Sequence, residues 1–206
     1  MAASWIEAHQ PVNLSVSYMN AYHLAFPAGV FDTVLSGFMG WYDCFDFEQR
    51  IFTQPDIKSR EILRVLREGG KFVCCSWEEQ EDLCWMEAAV LRHHPQLLED
   101  DEYLARRPIG MAYEKAAGYE LILQNAGFRE VETSRLETTC LSANAQEWWE
   151  QMKQVGWKSL LEKIRGKSLE DYQRLKQSVL HDLIDNCQYE DGIRFRKIVF
   201  FVRGIK

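Results

Sequence analysis

The stretch Lys71–Trp77 (KFVCCSW) constrains this chain more than any other. A near-continuous apolar run of strand length is the pattern of a strand covered on both faces, as in sheets that lie between helices. The segment ahead of it supplies one helix. From Asp56 to Arg67 the apolar residues Ile57, Ile62, Leu63, Val65 and Leu66 recur at helical spacing, with Pro55 suited to the start and Gly69 and Gly70 to the end. Phe31–Ser36 (FDTVLS), bounded by Pro27, Gly29 and Gly37, reads as a strand before that helix. Strand, helix, strand in this order is a βαβ unit with a right-handed crossover. Leu14–Tyr18 (LSVSY) reads as a further short strand upstream.

Beyond Trp77 the spacing is mostly helical. Leu83–Leu91 is dense in apolar residues, and Glu99–Glu102 reads as a solvated acidic turn. Tyr113, Ala116, Ala117, Leu123 and Ala126 make the next helical face, stopped by Gly127. Phe128–Cys140 alternates and is rich in Val and Thr, so it is expected to be a strand. Ser142 or Asn144 can cap the helix bearing Trp148, Met152 and Val155, with Glu147 in capping-box register to Asn144. A second stripe, Trp157, Leu160, Leu161 and Ile164, follows. Ser168, with Asp171 three residues on, opens a long helix carrying Tyr172, Leu175, Val179 and Leu183. Ile193–Val202 is the last strand. The expected architecture is α/β, a single domain over 1–206. Its mixed sheet has the last two strands antiparallel, and its helical cap is drawn mainly from 78–126 and 142–186.

The balance of 24 Lys and Arg against 31 Asp and Glu, a formal charge of -7, disfavours nucleic acid as a partner. No apolar run has the length of a membrane span and no secretory signal opens the chain, so a cytoplasmic location is expected. None of the six cysteines is spaced for a metal, and none is set for a thiolate. Cys74 and Cys75 lie in an apolar strand, and Cys44 stands between Asp43 and Asp46. His93 and His94 are adjacent on a helix and do not share a face, so no metal site is expected there either. Ligands of such sheets sit beyond the carboxyl ends of the strands, which directs attention to Asn20, to Gly37–Tyr42 and to Trp77–Gln80.

At those strand ends the residues Asn20-Ala21-Tyr22-His23-Leu24-Ala25-Phe26-Pro27, Phe31-Asp32-Thr33-Val34 and Arg64-Val65-Leu66-Arg67-Glu68-Gly69-Gly70-Lys71-Phe72 stand in order. In spacing and sequence they resemble the class I S-adenosylmethionine-dependent methyltransferases, in particular the group acting on quinone precursors and other small molecules. Two positions depart from the family's pattern: Asn20 stands where an Asp is usual, and Glu68 where a Pro is usual. A neutral amide oxygen still accepts from an adenine amino group, without charge assistance. A third difference is an absence. The first nineteen residues hold no Gly and one acid, Glu7, so neither the family's glycine-rich cofactor loop nor its ribose-binding acid precedes Asn20. Met1–His9 instead looks like the helix after the second strand, and the chain is expected to begin inside the domain, lacking about one βαβ half.

The resemblance implies S-adenosylmethionine as cofactor, with Asn20, Ala21, Ser36, Gly37 and Phe38 around it, and Trp41, Tyr42 and Trp77 walling the pocket of a small organic acceptor. His23 and Tyr42 are the nearby base candidates. Methyl transfer is expected where the missing half is supplied; the alternative is a non-catalytic methyltransferase-like binding or assembly protein without cofactor. Either way the open sheet edge is expected to join a second copy or a partner chain.

Overall fold

The computed structural model describes residues 13–95, 114–154 and 157–206. In chain order the elements are β1 (Phe31–Gly37), β2 (Phe45–Asp46), β3 (Ile51–Phe52), α1 (Ile57–Val65), β4 (Leu66–Gln80), α2 (Glu81–His93), α3 (Ala116–Ala126), β5 (Arg129–Ser142), α4 (Ala145–Met152), α5 (Lys158–Lys167), α6 (Leu169–Cys187), β6 (Gln188–Tyr189) and β7 (Gly192–Ile205). The main sheet runs β1-β4-β7-β5, with β6 hairpinned onto β7 and β2-β3 a separate pair. β1 and β4 are parallel, and β7 lies antiparallel between β4 and β5. This is the expected mixed sheet with its last two long strands antiparallel.

Local chemistry sets the helix ends. Asp56 Oδ1 accepts the Ser59 amide at 3.0 Å and starts α1, so Pro55 stands one residue outside the helix. Asn144 accepts from Glu147 N at 2.9 Å, and the Glu147 carboxylate reaches back to Ala143 N at 2.8 Å. Ser168 accepts from Asp171 N at 3.1 Å. Gly127, at φ 105°, takes the left-handed turn that ends α3 and returns Phe128 N to Leu123 O.

Two cores share the sheet. Phe72, Cys74, Phe200 and Val202 point to the face covered by α1 and α3, where they meet Ile62, Tyr119, Ile122 and Leu123. On the opposite face Ile193 and Phe195 meet the cap formed by α2, α4, α5 and α6, whose interior holds Met86, Trp148, Trp149, Trp157 and Leu183. The helix expected in the cap at Ala116–Ala126 therefore belongs to the layer under the sheet. No helix among the described residues is long and apolar enough to cross a membrane.

Other expectations need correction. Leu14–Tyr18 makes no strand: Leu14, Val16 and Tyr18 are exposed, and no described residue pairs with them, so alternation alone has no ladder to stabilise it. The helix expected to reach Arg67 stops at Val65, because Leu66 turns to extended backbone and buries its side chain in the core. Gly69 and Gly70 accordingly lie inside β4. The run Lys71–Trp77 is fully covered on one face and partly on the other: Phe72, Cys74 and Ser76 are buried, whereas Val73, Cys75 and Trp77 are half-buried. Burial lifts the Cys74 thiol to about 12. Met1–His9, Glu99–Glu102 and Tyr113 lie outside the described residues.

The chain before β1 is strapped to α1 by one charged pair. Arg64 bonds both Glu61 oxygens and donates to the carbonyls of Leu24 and Phe26 at 2.9 and 2.8 Å; Glu61 also accepts Leu24 N at 3.0 Å. The Arg64 guanidinium and then the Leu24 amide push the Glu61 carboxyl down to about 2. Because this value is depressed, its stabilisation is present above the ordinary value near 4.5 and disappears as the pH falls toward 2. Arg64→Ala should lower the urea midpoint of unfolding at neutral pH, and the difference from the parent chain should shrink below pH 4.5.

Candidate functional site at the carboxyl ends of the strands

The parallel pair β1 and β4 ends with Gly37 beside Cys75, and Phe38 N then donates to Cys75 O at 2.9 Å. That last bond requires a sharp turn, and Phe38 makes it at φ 56°, a left-handed conformation that costs a non-glycine residue about 1 kcal/mol or more. The turn lays the Phe38 ring on Trp77, centroid to centroid 4.7 Å with 26° between planes, while Phe38 remains 51% exposed. Ser36, opposite Cys74 in the ladder, is half-buried.

Asn20 is exposed and closes a turn: its side-chain oxygen accepts Tyr22 N at 2.9 Å and its carbonyl accepts His23 N at 3.0 Å. Ala21 is half-buried and His23 exposed in the same turn. The Tyr22 hydroxyl donates to Asp43, which also receives Lys58, and Lys58 donates to the carbonyl of Gly40. The Asn20 turn and the Phe38–Asp43 loop are thus tied together through one carboxylate.

The aromatic residues expected around an acceptor separate. Trp41 is fully buried, donates through Nε1 to Ser59 Oγ at 3.0 Å and lies edge-on to Tyr119 at 5.2 Å. It is part of the core beneath the sheet. Tyr42 is partly exposed, with its ring against Phe47 and its hydroxyl on the Glu114 carboxylate. Burial first, and then the Glu114 charge, raise the Tyr42 hydroxyl far above its usual range, so it acts as a proton donor and not as a base. Glu114 is itself buried and accepts the Ser76 hydroxyl, making a carboxylate ringed by hydroxyls.

Trp77 opens on a different space. Between β4, β7 and α4 lies a cavity of about 500 Å³ whose apolar wall includes Leu83, Trp148, Met152 and Phe195. The cavity also receives Lys197, whose Nζ pairs with Asp82 Oδ2 at 2.7 Å and stands 5.1 Å from the Trp77 ring centroid. Both members are shielded, at 13% and 3% side-chain exposure. Asp82 Oδ1 accepts Leu83 N at 2.9 Å. Trp148 Nε1 is buried with no acceptor among the described residues.

Glu114, Asp82 and Lys197 were not singled out from the sequence. Lys197 had a readable signal: in IRFRKIVFFV it shares the alternating parity of Ile193, Phe195 and Val199, an inward position for a charge. Glu114 and Asp82 had none, since each acquires its role from residues 38 and 115 positions away.

No protein-family profile and no curated protein matches the sequence. Solved structures do match in fold. The YcgJ protein from Bacillus subtilis aligns with 100% of this chain and 76% of its own, at 15% identity and a TM-score of 0.50. A Bacillus halodurans protein assigned as a methyltransferase aligns at 19% identity, 100% and 77% coverage and a TM-score of 0.49. Phosphoethanolamine N-methyltransferase 2 of Haemonchus contortus, solved with phosphomonomethylethanolamine and S-adenosylhomocysteine, aligns at 17% identity, 100% and 40% coverage and a TM-score of 0.45. The fold of this chain is thus shared with that of the YcgJ protein.

Placing Trp41 in the core has a direct consequence. Trp41→Phe, which strands the Ser59 hydroxyl, should lower unfolding stability by about 1–3 kcal/mol and leave small-molecule binding by the folded chain unchanged in calorimetry.

Proposed function

We propose that this chain carries out S-adenosylmethionine-dependent methyl transfer to a small organic acceptor. The observation that supports this most is the Phe38–Trp77 stack, which joins the end of β1 to the cavity at the end of β4. The sequence resemblance and the fold support the same reading.

The residues present fit the adenosine end of such a cofactor. Asn20 keeps a free lone pair on an exposed amide oxygen, and Phe38 presents a half-exposed ring at the end of β1. Asn20, Ala21, Ser36, Gly37 and Phe38 would hold that end, the amide oxygen meeting the adenine amino group. When bound, S-adenosylmethionine supplies an electrophilic methyl on its sulfonium. The chain's own contribution is positioning: Trp77 orients an acceptor and the apolar cavity wall excludes water from it. Tyr42 is held protonated and does not serve as a base.

A second reading, assembly without chemistry, is favoured by the β1 edge. Its outer side is unpaired among the described residues, and Leu35 on it is 74% exposed. Antiparallel pairing of β1 with β1 of a second copy about Val34 would set each Asp32 opposite Ser36, so that no like charges meet.

One titration separates the two. S-adenosylhomocysteine titrated into the 206-residue chain should bind with a micromolar constant, weakened about tenfold in Phe38→Ala by loss of ring stacking. Absence of heat at millimolar ligand would overturn the cofactor reading. Light scattering on the same sample should give twice the 24.2 kDa chain mass if β1 edges pair, and the monomer mass for Leu35→Lys.

A further inference from the structure

We propose that the cavity between β4, β7 and α4 binds a flat aromatic molecule carrying an oxygen acceptor, a phenolic or carboxylate oxygen. As the seat of the methyl acceptor this rests on the function proposed above.

The shape of the ligand follows from the walls. Trp77 and Phe195 come from adjacent strands of one sheet face, and Trp148 lies across from them on α4, 5.5 Å from Phe195 with 36° between planes. About 500 Å³ bounded by such rings falls within the range of small-molecule sites and suits one or two fused rings.

The polarity of the ligand follows from the free valences. Lys197 is the cationic donor lining the cavity; it has three N–H bonds and spends one on Asp82 at 2.7 Å. Asp82 is already engaged by Lys197 and by Leu83 N, and the Gln151 carbonyl takes the Ser142 hydroxyl at 3.0 Å. A ligand completes the site by bringing an acceptor oxygen to Lys197. A cationic ligand would face the Lys197 ammonium with no unpaired carboxylate to offset it.

The test is calorimetric titration of the full chain, without methyl donor, using 2-naphthoate, 2-naphthol and 2-naphthylmethylammonium. Either oxygen compound is expected to bind at least tenfold more tightly than the ammonium compound, and whichever is tighter identifies the oxygen as carboxylate or phenolic. Lys197→Met alone would leave Asp82 buried and unpaired, so it is combined with Asp82→Asn; this pair should weaken the oxygen ligand about tenfold, with the fold checked by its thermal transition. Equal affinity for the ammonium compound, no binding by any of the three at millimolar concentration, or full affinity in the double variant would overturn the inference. Binding of S-adenosylhomocysteine without 2-naphthoate or 2-naphthol would overturn this inference alone. The reverse would overturn the methyl-transfer reading and leave the cavity's ligand standing.

Discussion

The antiparallel insertion of β7 between β4 and β5 is the constraint on which the rest depends. Side chains alternate along a strand, so a single register fixes what β7 presents to both faces at once. With Cys74 opposite Val202 and Thr133 opposite the same residue, Phe200 and Val202 enter the core above α1 and α3. The odd-numbered Ile193 and Phe195 then enter the cap. A slip of one residue would exchange the two sets, stranding Lys197 away from Asp82 and pointing Phe195 out of the cap. The two cores are separate in composition but not in specification.

Loops at the candidate site are held by charge as well as by apolar contact. Glu61 and Arg64 clamp the carbonyls of Leu24 and Phe26, and Asp43 gathers Tyr22 and Lys58. Lys197 and Asp82 do the same inside the cavity, at the junction of α2 with the sheet. Such pairs add little net stability when weighed against desolvation, but breaking one side is costly, so they fix geometry. That suits a region where an exposed turn at Asn20 and a strained residue at Phe38 must keep their places.

The sheet is covered unevenly. On the cap's side Phe195 is buried and Lys197 shielded, whereas Leu35 further along the same face is 74% exposed. The cavity lies where cover begins, which is why a half-buried Trp77 can stack on Phe38 and still line it. A close fit on the other face shows the contrast: a Cβ at Gly118 would stand 2.6 Å from Phe47 Cδ1, so α3 approaches the β2–β3 region as nearly as backbone allows.

Periodicity and caps are local, and they were legible. The βαβ unit, the cap helices, the Asn144 and Ser168 starts, the Gly127 stop and the closing strand follow from spacings within a few residues. Trp77 and Phe38 were placed at strand ends by the same logic. What the spacing could not carry was anything that depends on a distant neighbour. Leu14–Tyr18 has the alternation of a strand and no partner to pair with; Leu66 leaves its helix early because burial across the sheet outweighs local helical preference. Trp41 and Trp77 look alike in sequence, yet Ser59 and Tyr119 claim the first for the core while the gap beside α4 leaves the second open. Glu114 meets Ser76, and Asp82 meets Lys197, only after chain segments 38 or more residues apart are brought together, so burial and partnership were decided by tertiary packing alone.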